Sequence, residues 1–283
     1  MSRRDHNKIS PTAWVVAHGR VHSGLPYAKE IFAQIKDEVP SEQVLHYAQT
    51  RRPAYIGFEA RYRLIQSALA AEGATNILDL ASGLAPRGLD MSRKIRNTVI
   101  EMDLPEIVRQ KREIVDHILK EEGKQRNNLI LTPGNVLRET DIMRAGRLFA
   151  NKEPIAVVCE GLLRYLTMKE KTLVAKGIKK LLQVRGGVWV TPDIFTKTSL
   201  TKEIRRVNRA ASQIVGANIE KNNFKDIRAA KDFFTRLGFS VETRLHREMI
   251  PKLKVVKHFK LTPKEVRQYL SSRTLFIMRL RKE

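Results

Sequence analysis

Three short segments of this sequence set small residues and carboxylates where an apolar run ends. Residues 78–88 read LDLASGLAPRG, an apolar stretch ending in an acid, followed by small residues and Gly83. A glycine there lets the chain turn sharply at the carboxyl end of a strand, where open α/β sheets bind their ligands. Asp79, Ala81 and Gly83 are therefore candidates to line a cofactor. A dinucleotide would ask for Gly-x-Gly-x-x-Gly, so that backbone and pyrophosphate can approach closely. Here position 85 is Ala and position 86 is Pro. S-adenosylmethionine has no phosphate and needs room only for a ribose and an amino-acid tail, so the departure favours it over NAD.

Glu101 and Asp103 lie 18 and 20 residues beyond Gly83, about where a carboxylate accepts both ribose hydroxyls. They have the same parity, so in an extended strand both face one side. Asp103 is later and nearer the ligand edge, and is preferred, with Leu104 beside it; Glu101 stays open as the alternative. Asp103 also precedes Pro105, where its charge would favour a helix start. The third segment is CEGLLRYLT, residues 159–167. Glu160 would be poorly placed if buried alone; at the sheet edge it could face a sulfonium or an amine. Arg164 and Tyr165 are near enough to line an acceptor pocket, although Tyr165 could equally be core packing.

These segments need elements to position them. Ser10-Pro11 and Pro26 read as helix starts, and FEARYRLIQSALAA repeats apolar residues at helical spacing. From Asn76 the period changes to short apolar runs at NILDLA, NTVIEMDL, LILTPGNV, AVVCEGLLRYL and GGVWVTPDI. Between them lie helices, among them PEIVRQKREIVDHIL and one opened by a Thr167–Glu170 capping box. The alternation predicts an α/β, Rossmann-like fold: a mostly parallel central sheet with helices on both faces and an N-terminal helical cap. One domain is expected over 1–283, with a cap at 1–75, a cofactor-binding core at 76–194, and substrate or lid helices and final strands at 195–283. In the last part TSLTKEIRRVNRAASQIVG and DIRAAKDFFTRLG read as helices, and FSVETRLH and TLFIMRL as strands.

Composition narrows the classes. The 283 residues are 42% hydrophobic and 29% charged, a globular profile, and no run approaches the ~18 apolar residues of a membrane span. The basic N-terminus has no apolar segment behind it, so no secretory signal is expected. A lone Cys159 suits a reducing compartment, and the cytoplasm is expected. The net charge of +23 could attract anions, but the basic residues are scattered and no nucleic-acid motif accompanies them, so nucleic acid is not the expected partner. His18 and His22 could share a helix face, yet no third ligand is evident and no metal is expected. No Gly-x-Ser-x-Gly elbow or P-loop occurs.

Taken in order, ISPTAWVVAHGR, Arg61 within FEARYRLI, LDLASGLAPRG, EMDLPEIVRQKREI and CEGLLRYLT resemble the leucine carboxyl methyltransferase family, including its bacterial polyketide-type O-methyltransferase branch. The resemblance covers most of residues 9–170. It implies a class I methyltransferase fold and S-adenosylmethionine. It further implies that Arg61 holds the cofactor carboxylate, that Gly83 forms the glycine turn, that Asp103 takes the ribose, and that Glu160 lies near the methionine portion. Asn135 stands where relatives often carry Asp beside the adenine, with Val136 next to it; an amide can still bond a base edge. Methyl transfer to the carboxylate of a small molecule or peptide is the expected reaction. Such an acceptor is already ionised, so no general base is required, and Arg164, Tyr165, Arg51 or Arg52 could orient it. The rival readings are an NAD-type oxidoreductase and a catalytically silent binding protein. Oligomeric state is not legible.

Overall fold

The computed structural model describes residues 11–39, 41–50, 54–200, 205, 208–209, 212–213, 218–271 and 273–281. The helices α1 (Pro11–Arg20), α2 (Ala28–Ile35), α3 (Glu42–Thr50) and α4 (Ala54–Ala71) precede the sheet. Pro11 is the first residue of α1, while Ser10 lies outside the described residues. Pro26 does not open α2: Tyr27 takes φ +61° at the N-cap, and the helix starts at Ala28.

Strands β1 (Asn76–Leu80), β2 (Thr98–Asp103), β3 (Leu129–Pro133), β4 (Ile155–Cys159) and β5 (Gly187–Thr191) run parallel. Their connections include α5 (Arg87–Met91), α6 (Pro105–Glu121), α7 (Glu139–Arg147) and α8 (Met168–Arg185). The predicted capping box at Thr167 and Glu170 opens α8. Beyond it come the helix Ile227–Arg236, β6 (Phe239–Leu245), a 3-10 helix at His246–Lys252, the helix Pro263–Leu270 and β7 (Thr274–Leu280). The sheet order is β3-β2-β1-β4-β5-β7-β6. Most of the helix expected at TSLTKEIRRVNRAASQIVG lies outside the described residues.

Segment 195–283 thus completes the sheet as well as following it. Strand β7 is antiparallel to both β5 and β6. Therefore β6 runs the same way as β5, and its C-terminal end shares the edge reached by the C-termini of β1 to β5. The start of β7 lies there too, with Leu245 opposite Thr274. Edge strand β6 carries the exposed Glu242, and its charges discourage further pairing.

Strand parity sorts the core. Leu78, Leu80, Val157 and Trp189 pack with α7, α8 and Phe234 on one face. Ile77, Val99, Val158 and Val190 pack with α4, Tyr269 and Leu270 on the other. Asp79, Glu101, Asp103 and Glu160 share parity with this second group and so face the α4 side. The cap helices rest on α6 through Trp14, Ile31, Val44, Ile114 and Ile118, and enclose Leu84 of the glycine loop.

Phe234, fully buried, meets Trp189 edge-on with centroids 5.3 Å apart and Phe233 at 5.0 Å. Phe234→Ala should cost about 3–5 kcal/mol, as an aromatic side chain is exchanged for a cavity. Urea unfolding reads it; a loss under about 1 kcal/mol would show that this end of the sheet repacks freely.

Candidate active site

The C-terminal edge of the sheet is organised by a buried carboxylate. Glu160, just past β4, is met by three guanidinium groups: Arg20 from the end of α1, Arg61 Nε from α4 at 2.6 Å, and Arg87 Nη2 from α5 at 2.5 Å. Burial alone would raise its pKa, but the three arginines outweigh that and hold it at about 2. Glu160 is thus the hub of an ion-pair network and does not stand open toward a sulfonium, as the sequence suggested. Arg87 Nη1 also meets Asp79 at 3.0 Å. Asp79 is almost fully buried and faces this arginine instead of an open pocket; burial, only partly offset by Arg87, raises its pKa to about 6.

Three guanidinium groups therefore meet two carboxylates directly, and the buried Asp193 acts on Arg61 as a third. The buried Nε atoms of Arg20 and Arg87 have no hydrogen-bond partner among the described residues. A buried cation with unused donors fits the carboxylate of an amino-acid tail.

The turn after β1 is strained toward the same edge. Ala81 takes φ +53°, unusual for a residue with a side chain, and Gly83 follows at φ +47°. Asp103 fastens this loop: Oδ2 accepts from Gly83 N at 2.7 Å and Oδ1 from Leu104 N at 2.8 Å. Burial pushes its pKa up against these two amides, which favour the charged form. A side chain built at Gly83, or at Gly161 (φ +84°), would meet nothing within 4 Å, so both turns border open space. Asp193, past β5, holds the second turn by accepting from the backbone N–H groups of Gly161, Leu162 and Leu163 at 2.6–3.0 Å.

Glu101 is a different matter from Asp103. It accepts from Gly88 N at 3.1 Å and meets Lys111 Nζ at 2.8 Å, and it is 1% exposed. Two residues deeper in the strand means about 7 Å further from the edge, so α5 and Lys111 enclose it. After β3, Asn135 Oδ1 accepts from Leu137 N at 2.9 Å, and Asn135 N donates to Asp141 Oδ2 at 2.9 Å. Val136 is buried with the α7 and α8 core.

The other half of the edge carries different chemistry. Arg164, in the 3-10 turn Leu163–Tyr165, donates to Asn208 at 3.0 Å and lies 4.4 Å from the centroid of Phe195. Arg273, just before β7, lies 5.7 Å from the same ring and 4.6 Å from that of Tyr269. Tyr165 is half-buried beside Arg164. Arg51 and Arg52 lie outside the described residues. His246, at the end of β6, is 1% exposed, and neither ring nitrogen has a hydrogen-bond partner among the described residues. Burial first, then Arg273 and Arg61, holds its pKa at about 3, so the ring is neutral. A neutral imidazole has one donor and one acceptor, and each left buried and unpaired costs about 1–3 kcal/mol.

Arg20, Arg87, Asp193, Arg273 and His246 had not been singled out. Arg87 stands eight residues after Asp79 across a tight turn, a spacing that could have suggested the pair. The others meet the site only through sheet order. His18, by contrast, stacks on Trp14 and bonds Tyr55 OH at 2.8 Å. Among the described residues no group of three or more His, Cys, Asp or Glu could hold a metal ion, and no helix is long and apolar enough to cross a membrane.

A sheet of this order, with a glycine turn at β1 and an acid at the end of β2, defines a class I Rossmann-like methyltransferase fold. The chain belongs to the leucine carboxyl methyltransferase family, whose sequence profile matches residues 26–179, more than half its length. It is an S-adenosylmethionine-dependent methyltransferase. Solved structures agree on the fold. A Thermobifida fusca protein proposed to be a methyltransferase superposes with a TM-score of 0.53 at 14% identity, covering 98% of this chain and 97% of that one. A DUF574 family protein of Streptomyces avermitilis gives 0.52 at 13% identity, covering 94% and 97%. Magnesium protoporphyrin IX methyltransferase of Synechocystis PCC 6803, solved with S-adenosylhomocysteine, gives 0.50 at 12%, covering 96% and 95%. No curated protein matches by sequence.

Glu160→Gln should destabilise the fold by about 3–5 kcal/mol, because it leaves buried guanidinium groups uncompensated. The lowered pKa of Glu160 makes its stabilisation complete above about pH 4.3 and lost as pH falls toward 2. Asp79, raised to about 6, acts oppositely: it favours the fold most below its ordinary pKa, and its contribution fades as pH rises through 6. Chemical unfolding of both proteins from pH 7 to 2.5 checks this; a stability gap that stays constant throughout would contradict the assignment.

Proposed function

We propose that this methyltransferase modifies the carboxylate of a small molecule or peptide. When bound, S-adenosylmethionine supplies an electrophilic sulfonium methyl. Arg61 would hold its carboxylate and Asp103 its ribose hydroxyls, with Ala81, Gly83, Leu104, Asn135 and Gly161 bordering the same space. The observation that carries the acceptor assignment is the pair Arg164 and Arg273 at Phe195, beside a histidine held near 3. A carboxylate is already a nucleophile at neutral pH and needs orientation more than deprotonation. Arginine grips one carboxylate oxygen while the other can point at the methyl. A histidine with so low a pKa is a poor general base, which disfavours a hydroxyl acceptor. The acceleration then comes from holding oxygen, methyl carbon and sulfur in line and dry.

The single, buried Cys159 suits a reducing compartment, and the cytoplasm is the proposed location. Nucleic acid is not the proposed acceptor: the positive charge is scattered along the chain, and no nucleic-acid motif accompanies it.

Label transfer from methyl-labelled S-adenosylmethionine to a panel of small carboxylic acids tests the reading. The product should release labelled methanol in mild alkali, as a methyl ester does; an alkali-stable label would overturn it. Asp103→Ala should weaken S-adenosylhomocysteine binding by about 1–3 kcal/mol in calorimetry, and an unchanged dissociation constant would remove Asp103 from the site. Arg164→Ala should raise KM for the acid roughly 10-fold or more and leave cofactor binding unaltered. A KM equal to that of the parent would exclude Arg164 from the acceptor pocket.

A further inference from the structure

We propose that His246 is an acceptor-binding residue, its imidazole N–H donating a hydrogen bond to the carboxylate that Arg164 and Arg273 orient. The inference rests on the carboxylate reading above and names a contact for it. Three observations meet at this side chain. The ring is 1% exposed, yet both nitrogens lack partners among the described residues. A neutral ring in such a place is complete only when something else supplies an acceptor for one nitrogen and a donor for the other. Second, His246 N donates to Arg273 O at 3.0 Å, so His246 and Arg273 are neighbours across the β6–β7 pair at the ligand edge. Third, Arg273, Arg61 and Glu160 are near enough for their charges to act on the ring.

Sheet order separates the two ligands. Gly83, Asp103 and Asn135 close β1, β2 and β3, on one side of β4, whereas β5, β7 and β6 lie on the other. A cofactor that reaches from β3 to Glu160 uses the first half, so a group at the end of β6 meets what approaches the methyl from beyond it. A neutral donor also suits an anion better than a base would, because it binds the carboxylate without competing for a proton. The 3-10 helix that His246 opens packs on α4, the helix that carries Arg61.

The full chain is compared with His246→Leu and His246→Gln, using octanoate and phenylacetate as probes. His246→Leu removes two unpaired polar atoms and fills the space, so its melting temperature without ligand should equal or exceed that of the parent. Its KM for the acid should rise roughly 10- to 100-fold, the range for a lost hydrogen bond to a charged group. S-Adenosylhomocysteine affinity should not change, and His246→Gln, which keeps a donor and an acceptor, should recover part of the loss. In long-range nitrogen–proton spectra of the parent, the His246 ring nitrogens should shift when octanoate is added to protein saturated with S-adenosylhomocysteine. A His246→Leu protein that melts lower and keeps the parent KM would make His246 structural and overturn the proposal. So would ring nitrogens that shift with S-adenosylhomocysteine but not with octanoate, or a His246→Leu protein that loses S-adenosylhomocysteine affinity. A parent enzyme that methylates no carboxylic acid would instead sink the broader acceptor assignment.

Discussion

The ligand edge of this protein depends on one buried charge. Glu160 is held by arginines 140, 99 and 73 residues away in the chain, from the cap, from α4 and from the helix after the glycine turn. None of these elements is covalently near β4, and each brings a cation that would be costly to bury alone. The network therefore ties the cap and α4 to the end of β4, where their guanidinium groups meet Glu160. The unused Nε donors of Arg20 and Arg87 are groups that the carboxylate of an amino-acid tail can engage. Ligand binding and completion of the core thus draw on the same electrostatics.

Carboxylates at this edge shape backbone as much as they bind. Asp103 draws the Gly83 turn onto β2, and Asp193 gathers three consecutive N–H groups after β4. Both hold loops whose left-handed glycines border open space. A loop held by a charged acceptor is pre-organised, so less ordering is required when a ligand arrives. The strained Ala81 fits the same pattern, since unfavourable backbone angles survive where surrounding bonds over-determine them.

The two halves of the sheet divide the chemistry. Parallel strands β1 to β4 supply a glycine turn, an acid and an ion-pair hub, all suited to a cofactor of fixed structure. The antiparallel β7 and its neighbour β6 return the chain to the same edge and bring Arg273 and His246 with them. Residues 195–283 therefore contribute to this edge from within the sheet.

Much of this was legible in the sequence, and the reason is local. The strands β1 to β5 could be read as apolar runs, because buried parallel strands need apolar residues on both faces. The capping box at Thr167 follows from a four-residue pattern, and Gly83 and Asp103 are legible because a turn and a strand end define them. Parity also put Glu101 and Asp103 on one face. Parity says nothing of depth or of partners, however. Only the folded chain decided that Glu101 is enclosed by Gly88 and Lys111 while Asp103 stands at the edge, and that Glu160 is wrapped by arginines. It alone placed Arg20, Arg273 and His246 at the site, since strand order and the packing of α1 and α4 are set by contacts between residues far apart in the chain. Short-range patterns encode elements; long-range ion pairs and sheet order assemble the site.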